Sequence, residues 1–255
     1  MPQLGILSAL LDEQRGLLDQ LESPVKVRHA GRTFWQGRWH GVAVVLALTR
    51  VGKVAAATTT AALIERFGVQ QILFTGVAGG VGAGVRVGDV VVAQSFIQHD
   101  LDSRPLFPRY EIPLYGRSTL PCDAELSALL VEAVDSGLVR AGGHCSLKTL
   151  DTTPQRHQGL IASGDCFVGA ADHAARIVSD LQAAGHQPLA VEMEGAAVAQ
   201  VCLDYGVAFA AMRTISDRAD DSAHEDFQTF VAQVASPIAL NVMQAYLELI
   251  SKKEQ

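Results

Sequence analysis

Three acidic residues in this 255-residue chain stand just past separate apolar runs: Glu13 after Leu4 to Leu7, Glu194 after Leu189 to Val191, and Asp217 beyond the run that ends near Arg213. In open α/β sheets ligands collect at the carboxyl ends of strands, so acids at those ends are candidates for chemistry. Converging on a sugar, one such group could activate water, a second hold hydroxyls, and a third give a proton to a departing base. Taken singly, each fits as well a surface carboxylate or an acid favoured by the positive end of a helix.

Bringing three such ends together requires strands and helices in alternation. Leu4 to Leu7 reads as a strand and Ala9 to Leu21 as a helix, from the spacing of its leucines. A β-rich stretch, Val25 to Leu48, follows with Gly31 and Gly37 at turns. Gly52 precedes an alanine- and threonine-rich helix ending near Phe67, and Gln71 to Thr75 and Val90 to Ala93 read as short buried strands. A long segment holding Pro105, Pro108, Pro113 and Pro121 then leads to a helix around Ala124 to Ser136, and connections of that length usually carry function. Beyond it the alternation resumes: strand Leu160 to Ser163, helix Ala170 to Ala184, strand Leu189 to Val191, helix Gly195 to Tyr205, strand Val207 to Arg213, helix His224 to Ile250. This order predicts a three-layer α/β/α sandwich around a mixed, largely parallel sheet, because strands so uniformly apolar need helices on both faces. Residues 1–255 are expected to form a single domain.

Composition narrows the class. Hydrophobic residues are 49% and charged residues 18% of the chain, a balance that suits a packed enzyme. A net charge of -7 with no basic cluster argues against nucleic acid as a partner. The amino terminus lacks a basic leader and no apolar run approaches the roughly 20 residues of a membrane helix, so no membrane partner and a cytoplasmic location are expected. Cys122, Cys145, Cys166 and Cys202 are far apart without CxxC spacing and read as buried free thiols. The eight histidines form no HExxH pair, and no G-x-G-x-x-G follows a strand, so neither metal nor cofactor is expected.

Short strings spread along the chain then carry a resemblance. They are Gly5-Ile6-Leu7-Ser8-Ala9 with Glu13, Val51-Gly52-Lys53-Val54-Ala55-Ala56, Thr75-Gly76-Val77-Ala78-Gly79-Gly80, Val87-Gly88-Asp89, Ser163-Gly164-Asp165, Val191-Glu192-Met193-Glu194 and Arg213-Thr214-Ile215-Ser216-Asp217. In order and spacing the chain resembles the methylthioadenosine/S-adenosylhomocysteine nucleosidases of the nucleoside phosphorylase superfamily. The resemblance implies hydrolysis of a purine nucleoside's N-glycosidic bond through an oxocarbenium-like sugar, as in methionine salvage. It gives Asp217 the proton donated to adenine N7, Glu13 the attacking water, and Arg213 a place near that water and Glu13. By the same resemblance Glu194 accepts from the ribose 2'- and 3'-hydroxyls, Met193 packs under the sugar, Phe167 stacks on adenine, and backbone groups of Val168 read the base edge. Ser103 to Phe107 corresponds to a segment that reaches the neighbouring subunit's site, which implies a homodimer, and Phe227 matches an aromatic lid beside the 5' substituent.

Two residues depart from the pattern. Val77 stands where most nucleosidases have serine, and Arg50 where glycine is usual. Phe74 to Val77 offers neither the arginine nor the serine with which phosphorylases hold phosphate, which favours water as the acceptor, although Arg50 is a candidate anion ligand. Glu192 fits a structural ion pair and is left outside the site. His99 is expected to support its loop through Asp100. The competing readings are a phosphate-dependent phosphorylase, a silent nucleoside-binding protein, and a hydrolase of another modified nucleoside such as futalosine.

Overall fold

The computed structural model describes residues 3–142, 150, 152–219 and 227–253. In chain order the elements are β1 (Leu4–Ser8), α1 (Leu11–Leu18), β2 (Glu22–His29), β3 (Arg32–Trp39), β4 (Val42–Leu48), α2 (Lys53–Phe67), β5 (Gln71–Gly80), β6 (Val90–Gln98), β7 (Thr119–Pro121), α3 (Ala124–Gly142), β8 (Arg156–Ser163), α4 (Ala171–Ala183), β9 (Pro188–Glu192), α5 (Gly195–Tyr205), β10 (Ala208–Asp217), α6 (Phe227–Phe230) and α7 (Ser236–Lys253). A π-helical turn, Val231–Ala235, joins the last two helices. Cys145 and residues 224–226 of the expected last helix lie outside the described residues.

All ten strands belong to one sheet. β1 is buried along its whole length and lies parallel between β4 and β5. β2, β3 and β4 form an antiparallel meander on one flank. On the other flank β5 pairs in parallel with β10 and antiparallel with β9, while β10 meets β6, β6 meets β8 and β8 meets β9. The five strands β5, β10, β6, β8 and β9 therefore close into a ring. The sheet is mixed as expected, but the meander and this closure make it less parallel than the βαβ alternation suggested, since parallel and antiparallel pairings occur side by side throughout.

Helices cover both faces, as strands without a polar side demand. Leu17 of α1, Leu126 and Leu130 of α3, and Ile238, Val242 and Tyr246 of α7 share one buried cluster with Leu4, Ile6 and Leu73 of the sheet. Ala56 and Leu63 of α2 and Val198 and Cys202 of α5 share another with Leu7, Phe74 and Phe96. α4 packs through Ile177 and Leu181 against Ile97, Ala162 and Val191. The helix from Phe227 to Lys252 is long and apolar enough to cross a bilayer, contrary to expectation, yet 56% of its apolar window is buried inside the molecule. Its hydropathy reflects a core helix.

Several boundaries move for identifiable reasons. Gly31 turns between β2 and β3 at φ 70° as expected, but Gly37 lies inside β3, where a Cβ would stand 3.1 Å from Cβ of Leu21. β5 continues through the glycine string to Gly80 because β10 and β9 hydrogen-bond to it there. β10 likewise runs past Arg213 to Asp217, with a register shift between Ile215 and Asp217. Such a bulge re-aims the side chain that follows it.

The α3–α7 crossing has no room to spare: a Cβ on Gly137 would fall 2.7 Å from Cγ2 and 2.9 Å from Cα of Val242. Overpacking of this kind costs about 2 kcal/mol. Gly137→Ala is expected to lower Tm by about 4–8 °C with turnover at permissive temperature unchanged, as read by calorimetry and an activity assay.

Candidate active site

The carboxyl ends of β1, β5, β9 and β10 surround a pocket whose wall includes Glu13, Val77, Ala78, Gly79, Val191, Met193, Glu194 and Asp217. Glu13 sits in the first turn of α1 with its side chain turned back over the strand ends. Its Oε2 accepts from the backbone N–H groups of Ala9 and Leu10, each at 2.8 Å, and its Oε1 from that of Val77 at 3.1 Å. The same oxygen would lie 3.0 Å from a Cβ on Gly76, so that glycine keeps the approach open. Glu13 is 4% exposed, and burial raises its proton affinity above the ordinary carboxylate value against the opposing pull of those N–H groups and of Arg213.

Glu194 caps the start of α5, and its Oε1 accepts from the N–H of Gly52 at 2.7 Å. Gly52 holds φ 95°, a backbone state suited to glycine, so the loop before α2 can aim its amide at that carboxylate. Burial, and next the charge of Glu192, push the Glu194 carboxyl up to about 8.

Asp217 is placed by the β10 bulge. Ser216 Oγ donates to its Oδ2 at 2.7 Å and the Ala219 N–H to its Oδ1 at 2.8 Å. It ends a strand, so the alternative of a helix cap does not apply.

Arg213 is 1% exposed, with its guanidinium 3.9 Å above the Phe74 ring. Nη2 bonds Glu192 at 2.8 Å, and Nη1 donates to the Phe74 and Met212 carbonyls. Its charge reaches Glu13, as the sequence reading required. Its direct partner, though, is Glu192, which does form the structural ion pair foreseen for it but also stands in the pocket wall.

Phe167 and Val168 form the opposite wall with Cys166, and Phe227 closes a side. Phe167 is 45% exposed. The loop carrying it is tethered to α2: Asp165 Oδ1 accepts from the Lys53 N–H at 2.7 Å, Asp100 Oδ2 from the Asp165 N–H at 2.9 Å, and Lys53 Nζ bridges to Asp100 at 2.6 Å. His99 is not bonded to Asp100 as expected; its buried Nε2 has no partner and its ring lies against Gly164.

A family model described as the phosphorylase superfamily matches residues 3–248. The 5'-methylthioadenosine/S-adenosylhomocysteine nucleosidase of Chromohalobacter salexigens is 34% identical over 244 residues, 95% of each chain. An aminodeoxyfutalosine nucleosidase of Helicobacter pylori is 32% identical over 240 residues, 92% of this chain and 94% of its own. The solved S-adenosylhomocysteine nucleosidase of Streptococcus pyogenes, in complex with 5-methylthiotubericidin, superposes with a TM-score of 0.83 at 31% identity, covering 98% of this chain and 97% of that one. The chain belongs to the methylthioadenosine/S-adenosylhomocysteine nucleosidase family of the phosphorylase superfamily.

In this nucleosidase-family chain the structure gathers Glu13, Val77, Phe167, Val168, Met193, Glu194, Asp217 and Phe227 around one pocket, with Arg213 directly behind it. It does not bring Ser103 or Phe107 there; both lie on a turn in which the Ser103 carbonyl accepts from Leu106 and Phe107. Arg50 points elsewhere: it is exposed, and its Nη2 donates to the Gly31 carbonyl at 2.7 Å. The expected site left out Ala9, Leu10, Val51, Ala78, Gly79, Cys166, Val191, Glu192 and Ser216, all of which line the wall.

A carboxyl whose folded pKa lies above its unfolded value favours the fold below about 4.5, and that contribution is lost as pH rises through 4.5 towards about 8. Glu194→Gln removes the ionisation and keeps an oxygen for Gly52. The Tm gain of the variant over the native chain is therefore expected to be smallest near pH 4.5 and to grow towards pH 9, while turnover is lost. A difference flat with pH would contradict the assignment.

Proposed function

We propose that this chain hydrolyses the N-glycosidic bond of 5'-methylthioadenosine, S-adenosylhomocysteine or both, releasing adenine and the corresponding thioribose. The convergence of Glu13, Glu194 and Asp217 from separate strand ends on one pocket carries the reading. Glu13, fixed by three backbone N–H groups, orients the attacking water and takes its proton. Glu194 accepts from the ribose hydroxyls, and in its ionised form its charge favours the electron-poor sugar. Met193 packs beneath the ring, while Phe167 stacks on adenine and Val168 meets the base edge. Asp217, oriented by Ser216 and the Ala219 N–H, protonates the leaving base.

The choice of water over phosphate follows from charge. The described side chains lining the pocket include no lysine, arginine or histidine, and the nearby Arg213 is already paired with Glu192. A multiply charged anion would enter among four buried acidic side chains, of which only Glu192 has a counter-ion, at high desolvation cost. Val77 gives the floor no hydroxyl, and Arg50, the remaining candidate, is held at Gly31.

A second reading, an aminodeoxyfutalosine-type substrate, draws on the Helicobacter relative. Both share the adenine and sugar subsites and differ in the 5' group. The homodimer belongs to this proposal too: Leu106, on the turn bearing Ser103 and Phe107, and Leu114, beyond it, are 82% and 90% exposed and suit a neighbouring subunit. The expected setting is cytoplasmic methionine salvage.

A phosphate-free panel of methylthioadenosine, S-adenosylhomocysteine, aminodeoxyfutalosine, adenosine and inosine, read by released base, ranks the substrates. The sugar product is expected to be the free reducing sugar, with a rate unaffected by millimolar phosphate. Asp217→Asn is expected to lose about 10²–10⁴-fold in kcat with the fold intact. Ribose 1-phosphate detected by phosphorus NMR, with a rate that saturates in phosphate, would overturn the hydrolase assignment.

A further inference from the structure

Glu192 is engaged on both carboxylate oxygens by the protein itself. Oε1 accepts from Ser163 Oγ and from the Gly195 N–H at 3.0 Å; Oε2 accepts from the N–H groups of Gly195 at 2.9 Å and Glu194 at 3.2 Å, and from Arg213 Nη2 at 2.8 Å. Nothing is left for a ligand, so any part it plays in turnover acts through its neighbours. Those neighbours matter: it binds the backbone of Glu194, and its ion-pair partner carries the cation whose field reaches Glu13 and Glu194.

We propose that Glu192 is a positioning residue which, by pairing with Arg213, offsets much of the arginine's charge at Glu13 and keeps that carboxylate basic enough to take the proton of the attacking water. The inference rests on the hydrolase reading above. Arg213 is immobilised independently of Glu192, by the Phe74 ring at 3.9 Å and by the carbonyls of Phe74 and Met212 at 3.2 and 3.0 Å. Without Glu192 the guanidinium would stay where it is, buried and uncompensated. Its unshielded field would then stabilise the ionised forms of the two remaining glutamates and lower their proton affinity. The groups facing Glu194 are Glu192 and the Gly52 N–H, with Arg213 and Glu13 beyond; Lys53 and Asp165 flank Gly52, and His99 lies in the field of Glu192. Arg213 is the one fully buried arginine or lysine in that set.

The acidic limb of kcat/KM against pH reports ionisations of the free enzyme, so it reads the effect directly. With 5'-methylthioadenosine as substrate, Glu192→Gln is expected to move that limb to lower pH by about one unit, a tenfold change in proton affinity, with a lower plateau. Ser163→Ala withdraws a neutral donor from Glu192 and should move the limb upward by a few tenths of a unit. The double variant Glu192→Gln/Arg213→Met removes both charges and should return it towards the native position. A role confined to stability predicts an unmoved limb in all three. An unmoved limb in a folded Glu192→Gln chain overturns the proposal, as does, where that chain is insoluble, an unmoved or downward limb in Ser163→Ala. A native chain that releases no adenine at any pH overturns the hydrolase reading and this inference with it, which separates the two failures.

Discussion

Three glutamates and one arginine meet in the interior at the carboxyl end of the sheet, and a single cation cannot neutralise three anions. Glu192 takes Arg213 as its direct partner, which leaves Glu13 and Glu194 to be stabilised by backbone dipoles and by the more distant field of that arginine. Backbone N–H groups of Ala9, Leu10 and Val77 serve the first and that of Gly52 the second. These donors are partial charges that cannot leave the site, so each carboxyl is held in place without being fully discharged. A buried group in that condition keeps a high proton affinity, which is what a base acting on water near neutral pH requires.

The surrounding architecture can be understood as the means of delivering those amides. Glu13 and two of its donors, Ala9 and Leu10, are joined by the tight passage from β1 into α1, and the third, Val77, comes from β5. Gly52 and Glu194 come from residues far apart in the chain, and only the packing of α2 beside α5 on the same face of the sheet brings the two helix starts together. The loop with Phe167 is fastened to the same helix start through Lys53 and Asp100. The proposed sugar and base subsites thus share an anchor, so displacement of the α2 amino terminus would disturb both together.

Much of this was legible in the sequence because it rests on local signals. Apolar runs followed by acids located Glu13, Glu194 and Asp217, and the family resemblance carried by the strings supplied Met193, Phe167, Val168, Val77 and Phe227. What was not legible depends on distant partners. The strand expected over Gln71 to Thr75 runs on to Gly80 because β9 and β10 offer hydrogen bonds there. Arg50 beside Gly52 suggested an anion ligand, yet its left-handed backbone, φ 65°, and the Gly31 carbonyl carry the side chain away. Glu192 was separated from the site because an ion pair and a site wall seemed alternatives; with Arg213 behind the pocket it is both. His99 and Asp100 are adjacent in sequence, but Asp100 finds the stronger donor in Lys53.

The ring formed by β5, β10, β6, β8 and β9 has a consequence for how this molecule behaves among its own kind. Strands that close on one another expose no row of unpaired amides, so the segments bearing Val77, Glu192 and Asp217 have little tendency to fray or to recruit a strand from another chain. The long open border lies at the far flank, on β2, which is exposed along nearly all of its length. There Pro24 withholds an amide, a register shift between Glu22 and Val25 breaks the ladder, and Lys26 and Arg28 put charge on the rim. Protection against fibrous self-association is thus concentrated where no catalytic group depends on it, which leaves the inner strands free to be as apolar as their packing requires.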